Sequence, residues 1–211
     1  MKKFIFIIYI LSIPNQIYSQ TNKFIDSLIN NNCKEIIVLK ENCLGCLVLN
    51  KPCENYGKNG NFQDYFIFWR INKKTYVRKS NVCGNSKVYE IRKWNKNPFD
   101  LLNSKSAELD TLKLKYPLSL NRDSTWVETK LSHNTFSTLS FPTNKIKEIE
   151  INHKAFNDIK KIEKSDEEYM KMDIEFKKNI YRYIFNNNSS VKELLDILNK
   201  KIFEVKKKIR V

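Results

Sequence analysis

The sequence predicts an α+β fold, mainly an antiparallel sheet covered by a C-terminal pair of amphipathic helices. Three observations predict it. The stretch YFIFWRINKKTYVRKS, Tyr65 to Ser80, has an aromatic and β-branched arm, a polar turn at Asn72-Lys73-Lys74 and a return over Thr75 to Lys79, which reads as a hairpin. Ser165-Asp166-Glu167-Glu168 and Ser190-Val191-Lys192-Glu193 each set a serine three residues ahead of a glutamate, the pair that satisfies the first amides of a helix. After each box, apolar residues recur at three- and four-residue spacing.

The chain opens MKKFIFIIYILSIPNQIYSQ. Lys2 and Lys3 precede an apolar run of ten residues, Phe4 to Ile13, which Pro14-Asn15 breaks before the small Ser19. That is the layout of a secretory signal peptide. The run is also shorter than the ~20 residues a spanning helix needs. Cleavage after Ser19 is expected, leaving residues 20–211 as a single α+β domain, sheet-rich over 33–152 and helical over 153–211. The mature protein is expected to be periplasmic or secreted, with no transmembrane segment.

Lys23 to Asn30 is short and amphipathic, and Glu35 to Leu39 (EIIVL) is a β-branched run that reads as a strand. In the hairpin's first arm Tyr65, Ile67, Trp69 and Ile71 share one face, while Phe66 and Phe68 make the other apolar too. A strand apolar on both faces is an interior one. Lys87 to Arg92 is expected to extend that sheet. Asn97-Pro98 has the pattern of an N-cap with proline at the first helical position, so short helices are expected over Phe99 to Leu112. Strands return in STWVETKL, TFSTLSF and KIKEIEI between residues 124 and 151. The first C-terminal helix carries Tyr169, Met172, Phe176, Ile180, Tyr183 and Ile184, and ends at Asn186-Asn187-Asn188; the second carries Leu194, Leu195, Leu198, Ile202 and Phe203.

Lysine and arginine number 38 against 23 acids, and removing Lys2 and Lys3 with the leader takes the formal net charge from +15 to +13. Cationic surfaces gain affinity for nucleic acid by releasing counterions. Here, however, six of the 38 are arginines, and the charge is spread along the chain apart from Lys206-Lys207-Lys208. Nucleic acid is therefore disfavoured. The remaining candidate partners are an acidic protein or an anionic polymer of the cell envelope.

Three of the five cysteines fall in ENCLGCLVLNKPC, residues 41 to 53. Cys43-Leu44-Gly45-Cys46 has the spacing of a zinc ligand pair, but there is no second pair, and His133 and His153 stand far from it. No metal or other cofactor is expected. A thiol–disulfide oxidoreductase using Cys43 and Cys46 is the alternative enzyme reading. It requires the first cysteine at a helix N-terminus, where the dipole lowers its pKa, and Pro52 follows closely enough to cut such a helix short. In an exported protein the favoured role is structural, with Cys43, Cys46, Cys53 and Cys83 as disulfide candidates and Cys33 as the unpaired thiol.

The stretch CLGC, the aromatic hairpin YFIFWRINKKTYVRK and the cysteine after it together resemble uncharacterised exported proteins of Bacteroidota type. The resemblance covers residues 41 to 92 and implies an exported location, with no activity attached. Other catalytic patterns, such as G-x-S-x-G or H-E-x-x-H, do not occur. Asp64 with Glu90, or Asp123 with Glu128, could form carboxylate pairs. Trp69, Trp94, Trp126, Tyr65, Tyr76 and Tyr89 read as sheet core. Trp94, between Lys93 and Asn95, is the one aromatic suited to stacking on a ligand. The expected function is that of an exported, disulfide-stabilised, non-catalytic domain that binds a cell-envelope or macromolecular partner.

Overall fold

The structure is a computed structural model that describes residues 20–43, 62–81, 83–116, 118–120, 126–128, 135–156 and 182–209. The chain is α+β, with an antiparallel sheet and C-terminal helices. Its described residues form two compact units: residues up to 94 with 138–148, and residues 95–137 with those from 149 on.

In the first unit, helix α1 (20–30) leads into strand β1 (Glu35–Cys43). Asn32 ends the helix in the left-handed region at φ 59°. Its N–H reaches the Ile29 carbonyl at 2.9 Å and the Cys33 N–H that of Leu28 at 3.0 Å, the crossed pair of bonds that closes a helix C-terminus. Strands β2 (Phe62–Ile71) and β3 (Lys74–Asn81) form the expected hairpin. Its turn is tighter than the three residues read from the sequence. Asn72 and Lys73 alone make it, both at positive φ (51° and 63°), the geometry that matches strand twist in a two-residue loop.

Strand β4 (Gly84–Asn85) and strand β5 (Tyr89–Ile91) both pair with β3, and β8 (Thr135–Ser140), whose last three residues belong to this unit, lies beside β1. The order β4-β3-β2-β1-β8 makes β2 interior, as its two apolar faces require. On one face Ile36, Val38, Tyr65, Ile67 and Trp69 pack with Leu28, Phe24 and Ile25 of α1. On the other, Ile37, Leu39, Phe66 and Phe68 are fully buried.

The second unit contains α2 (Pro98–Ser104), α3 (Ser106–Thr111), the antiparallel pair β6 (Leu118–Leu120) and β7 (Trp126–Glu128), β9 (Ile149–Asn152), a 3-10 turn at His153–Phe156, helical residues 182–187 (α4) and α5 (Ser190–Ile209). Asn97 caps α2 as its sequence predicts, its Oδ1 accepting from the Phe99 N–H at 3.0 Å with Pro98 in the first turn. Residues 157–181, which include the Ser165 capping box, lie outside the described residues. Helix α5 buries Val191, Leu194, Leu195, Leu198, Ile202 and Val205, and packs against α2 and α3.

Two details of α5 differ from the sequence reading. Its N-cap is Ser189 rather than Ser190: the Ser189 hydroxyl accepts from the Lys192 N–H at 3.2 Å, while the Ser190 N–H is taken by Glu108 Oε1 at 3.2 Å. Phe203 is 61% exposed and does not join the buried stripe. It stands one residue past Ile202, about 100° around the helix, and the Lys207 ammonium sits 4.4 Å from its ring centroid. No described helix is long and apolar enough to cross a membrane.

Candidate functional site

Two of the three cysteines among the described residues, Cys43 and Cys83, lie toward one end of the first unit's sheet. Cys43 closes β1, in register with Phe62 of antiparallel β2. Cys83 lies in the turn between β3 and β4 and is disulfide-bonded. Cys33, at the opposite end of β1, is a buried free thiol. Its sulfur lies 3.6 Å from the carbonyl oxygens of Glu35 and Arg70. The register brings Glu35 and Arg70 face to face, where the guanidinium binds the carboxylate through Nε and Nη2 and ties the strand ends together. Cys46 and Cys53 lie outside the described residues.

Polar side chains hold the end of the sheet that carries Cys43 and Cys83. Asp64, 3% exposed, accepts from the Asn81 Nδ2 at 2.9 Å and pairs with Lys79 Nζ at 2.8 Å. Asn81 Oδ1 in turn accepts from the Cys83 N–H at 2.9 Å. The buried carboxylate is thus linked through one amide to the turn that bears the disulfide. On the other face the Tyr65 hydroxyl donates to Gln63 Oε1 at 2.9 Å, and Gln63 Nε2 donates to Asn42 Oδ1 at 2.8 Å. These contacts link polar side chains across three strands. They fix how β1, β2 and β3 end, and so where the chain enters and leaves the cysteine-rich stretch.

A dithiol enzyme needs its attacking sulfur at a helix N-terminus. Cys43 is the last residue of β1, within an antiparallel ladder. Asp64 and Glu90, conceivable as a carboxylate pair, do not come together. Asp64 lies opposite Glu41 and Asn81, whereas Glu90 lies opposite Tyr76, toward the far end of β3. Asp123 and His133 lie outside the described residues, as do the side chains of Glu128, Trp126 and His153. Among the described residues, no group of three His, Cys, Asp or Glu side chains could hold a metal ion.

The aromatics divide as follows. Trp69 and Tyr65 are buried, with Trp69 edge-on to Phe24 at 5.4 Å and stacked on Tyr76 at 5.6 Å. Trp94 is half-buried and tilted against Phe68 at 6.4 Å, so part of its ring is committed to the sheet. The cations are dispersed over aromatic rings and ion pairs. Lys79 lies over Phe66, Lys115 over Phe185 and Lys192 over Phe156, and the outer face of α5 alternates Asp196, Lys200, Glu204 and Lys207.

Sequence reasoning missed Lys79 and Asn81 as partners of Asp64, and Asn186 as a structural hub. Asn186 is fully buried; its Nδ2 donates to the carbonyls of Lys115 at 2.6 Å and Ala155 at 2.9 Å, and its Oδ1 accepts from the Lys115 N–H at 2.9 Å. In the sequence it is one of three consecutive asparagines, and nothing local separates it from the other two. No protein-family model, curated protein or solved structure matches this chain.

Proposed function

We propose that this chain is an exported, disulfide-stabilised, non-catalytic domain that binds a cell-envelope or macromolecular partner, an acidic protein or an anionic polymer being the chemistry its net charge suits. The observation that carries the reading is the disulfide at Cys83, with Cys33 a buried free thiol at the other end of the sheet. A crosslink belongs to an oxidising compartment, and the leader pattern of residues 1–19 independently suggests export.

The reading assigns the Cys83 bridge to Cys46 or Cys53. Strand β2 lies between β1 and β3, so the backbones at Cys43 and Cys83 are two strand spacings apart, about 10 Å. A disulfide needs Cα atoms within about 7 Å. A bridge to either remaining cysteine would staple the segment between β1 and β2 across the sheet end that Asp64 and Asn81 organise.

Thiol trapping and peptide mapping of protein exported by a bacterial host test the proposal. A stable bridge from Cys83 to Cys46 or Cys53, with Cys33 alkylated only after unfolding, is expected. A Cys43–Cys46 bridge that exchanges readily with small thiols would instead favour the oxidoreductase, and wholly reduced cysteines would remove the basis for export.

A further inference from the structure

We propose that Lys79 and Asn81 join covalently, the lysine Nζ forming an amide with the asparagine side chain while Asp64 carries the protons. The inference goes beyond the export reading, since the step needs nothing but the folded end of the sheet.

Lys79 and Asn81 stand two residues apart on β3, so their side chains leave the same face, with Cα atoms about 6.7 Å apart. The four methylenes of a lysine cover that span. Both side chains meet at one group. Asp64, on neighbouring β2, holds the Lys79 ammonium on Oδ2 at 2.8 Å and the Asn81 amide nitrogen on Oδ1 at 2.9 Å. Nucleophile and leaving group therefore sit on the two oxygens of a single carboxylate, an arrangement that spares the entropy of bringing them together. Asp64 and Asn81 are buried, and the Phe66 ring centroid lies 5.8 Å from the lysine Nζ. Burial keeps water from competing for the amide carbon. Asn81 Oδ1 already accepts from the Cys83 N–H at 2.9 Å, which places a backbone donor where negative charge builds as that carbon is attacked. An ion pair alone would need the lysine and the carboxylate. The amide held between that carboxylate and a backbone N–H is what adds the chemistry.

The step balances within these groups. The Lys79 ammonium gives one proton to Asp64, and the freed amine attacks Cγ of Asn81. The new Nζ–Cγ bond forms, and Nζ sheds a second proton. The carboxyl group returns one proton to Nδ2 as the Cγ–Nδ2 bond breaks, and ammonia leaves with the other as ammonium. Asp64 ends as the carboxylate it began as. No electrons are exchanged and no co-reactant is consumed. The product fixes the end of β3 just ahead of Cys83 and holds whether or not the disulfide there is reduced.

The test maps tryptic peptides of the full purified chain, reduced and alkylated in denaturant. Trypsin does not cut after an acylated lysine, so residues 79–87 are expected as one peptide, lighter by one ammonia and giving no fragments from breaks between Lys79 and Asn81. Asp64→Asn keeps the shape of the carboxyl group without its proton-carrying role, and Lys79→Arg keeps the charge. Both are expected to retain that ammonia, with urea titration against the parent showing that they fold. Cleavage after Lys79 in the parent, with its ammonium open to acetylation in denaturant, overturns the proposal. Loss of ammonia from residues 80–87 of Lys79→Arg overturns it too, since the asparagine would then be closing on its own backbone. A linkage between the peptides that carry Lys79 and Asp64, lighter by one water, overturns Asn81 as the acceptor.

Discussion

The two units reach order by different means. In the first, a sheet with both faces apolar buries Ile36, Ile37, Leu39, Phe66 and Phe68 completely, and polar groups enter mainly where strands end. In the second, helices α2, α3 and α5 pack through a narrower apolar stripe, and a fully buried asparagine joins segments 71 and 31 residues away in sequence. Burial of apolar area is non-directional and tolerates small shifts. A hub of three hydrogen bonds in a dry site is geometric, and a partly satisfied one is costly. The first unit should therefore lose stability in proportion to removed volume, and the second in proportion to polar groups left unpaired.

The largest effect is expected in the first unit. Phe68→Ala removes a fully buried ring that also supports Trp94, and should cost about 3–5 kcal/mol in urea titration. A loss under about 1 kcal/mol would show that this face of the sheet is not tightly packed. In the second unit, Asn186→Ala strands the Lys115 and Ala155 carbonyls and the Lys115 N–H. It should cost about 1–3 kcal/mol, with hydrogen exchange accelerating at Lys115. If Asn186→Ala proves neutral while Phe68→Ala does not, the contrast between the units fails on its polar side.

How far the sequence foretold each unit follows the same division. Alternation and aromatic content marked β2 and β3, because the period of a strand is visible locally. Strand β1, read as ending at Leu39, continues to Cys43 because cross-strand partners hold Asn42 and its neighbours in the ladder; pairing of that kind overrides local preference. Register decides which acids meet, and it is not written in any one segment. Asp64 consequently found Lys79 and Asn81 rather than Glu90. The three-residue strand β6 is too short to show a period at all. In α5 the stripe was legible but its edge was not: Ile202 and Phe203 both fit the spacing until the helix faces a particular neighbour. The cysteine count pointed to a crosslink without saying which sulfurs would pair.

A smaller effect isolates the start of α5. The Ser189 hydroxyl holds the Lys192 N–H, so Ser189→Ala should cost about 1 kcal/mol, whereas moving the change one residue to Ser190→Ala leaves that cap intact. Comparing the two thermal midpoints checks the cap assignment directly. A Ser189→Ala variant as stable as its parent would return the cap to the position read from the capping box.

The smallest expected effect is a pH dependence at the same helix end. The Ser190 hydroxyl and backbone N–H, with Lys105 beside them, hold the Glu108 carboxyl below its ordinary value of 4.5, against a weaker upward push from burial. Glu108 thereby places a negative charge on the N-terminal amides of α5, where the helix dipole favours it. A depressed folded-state value means that the contribution is fully present above pH 4.5 and is lost as pH falls through the folded value. The side chain is 39% exposed, so solvent screening limits the contribution to about 0.3 kcal/mol. Glu108→Gln should therefore be slightly less stable than the parent at pH 7, and the two should converge in acid. Parallel denaturation curves from pH 3 to pH 7 check this. A gap that persists unchanged at the acid end would mean that Glu108 acts through its shape rather than its charge, and would leave the positive end of α5 without the carboxylate assigned to it.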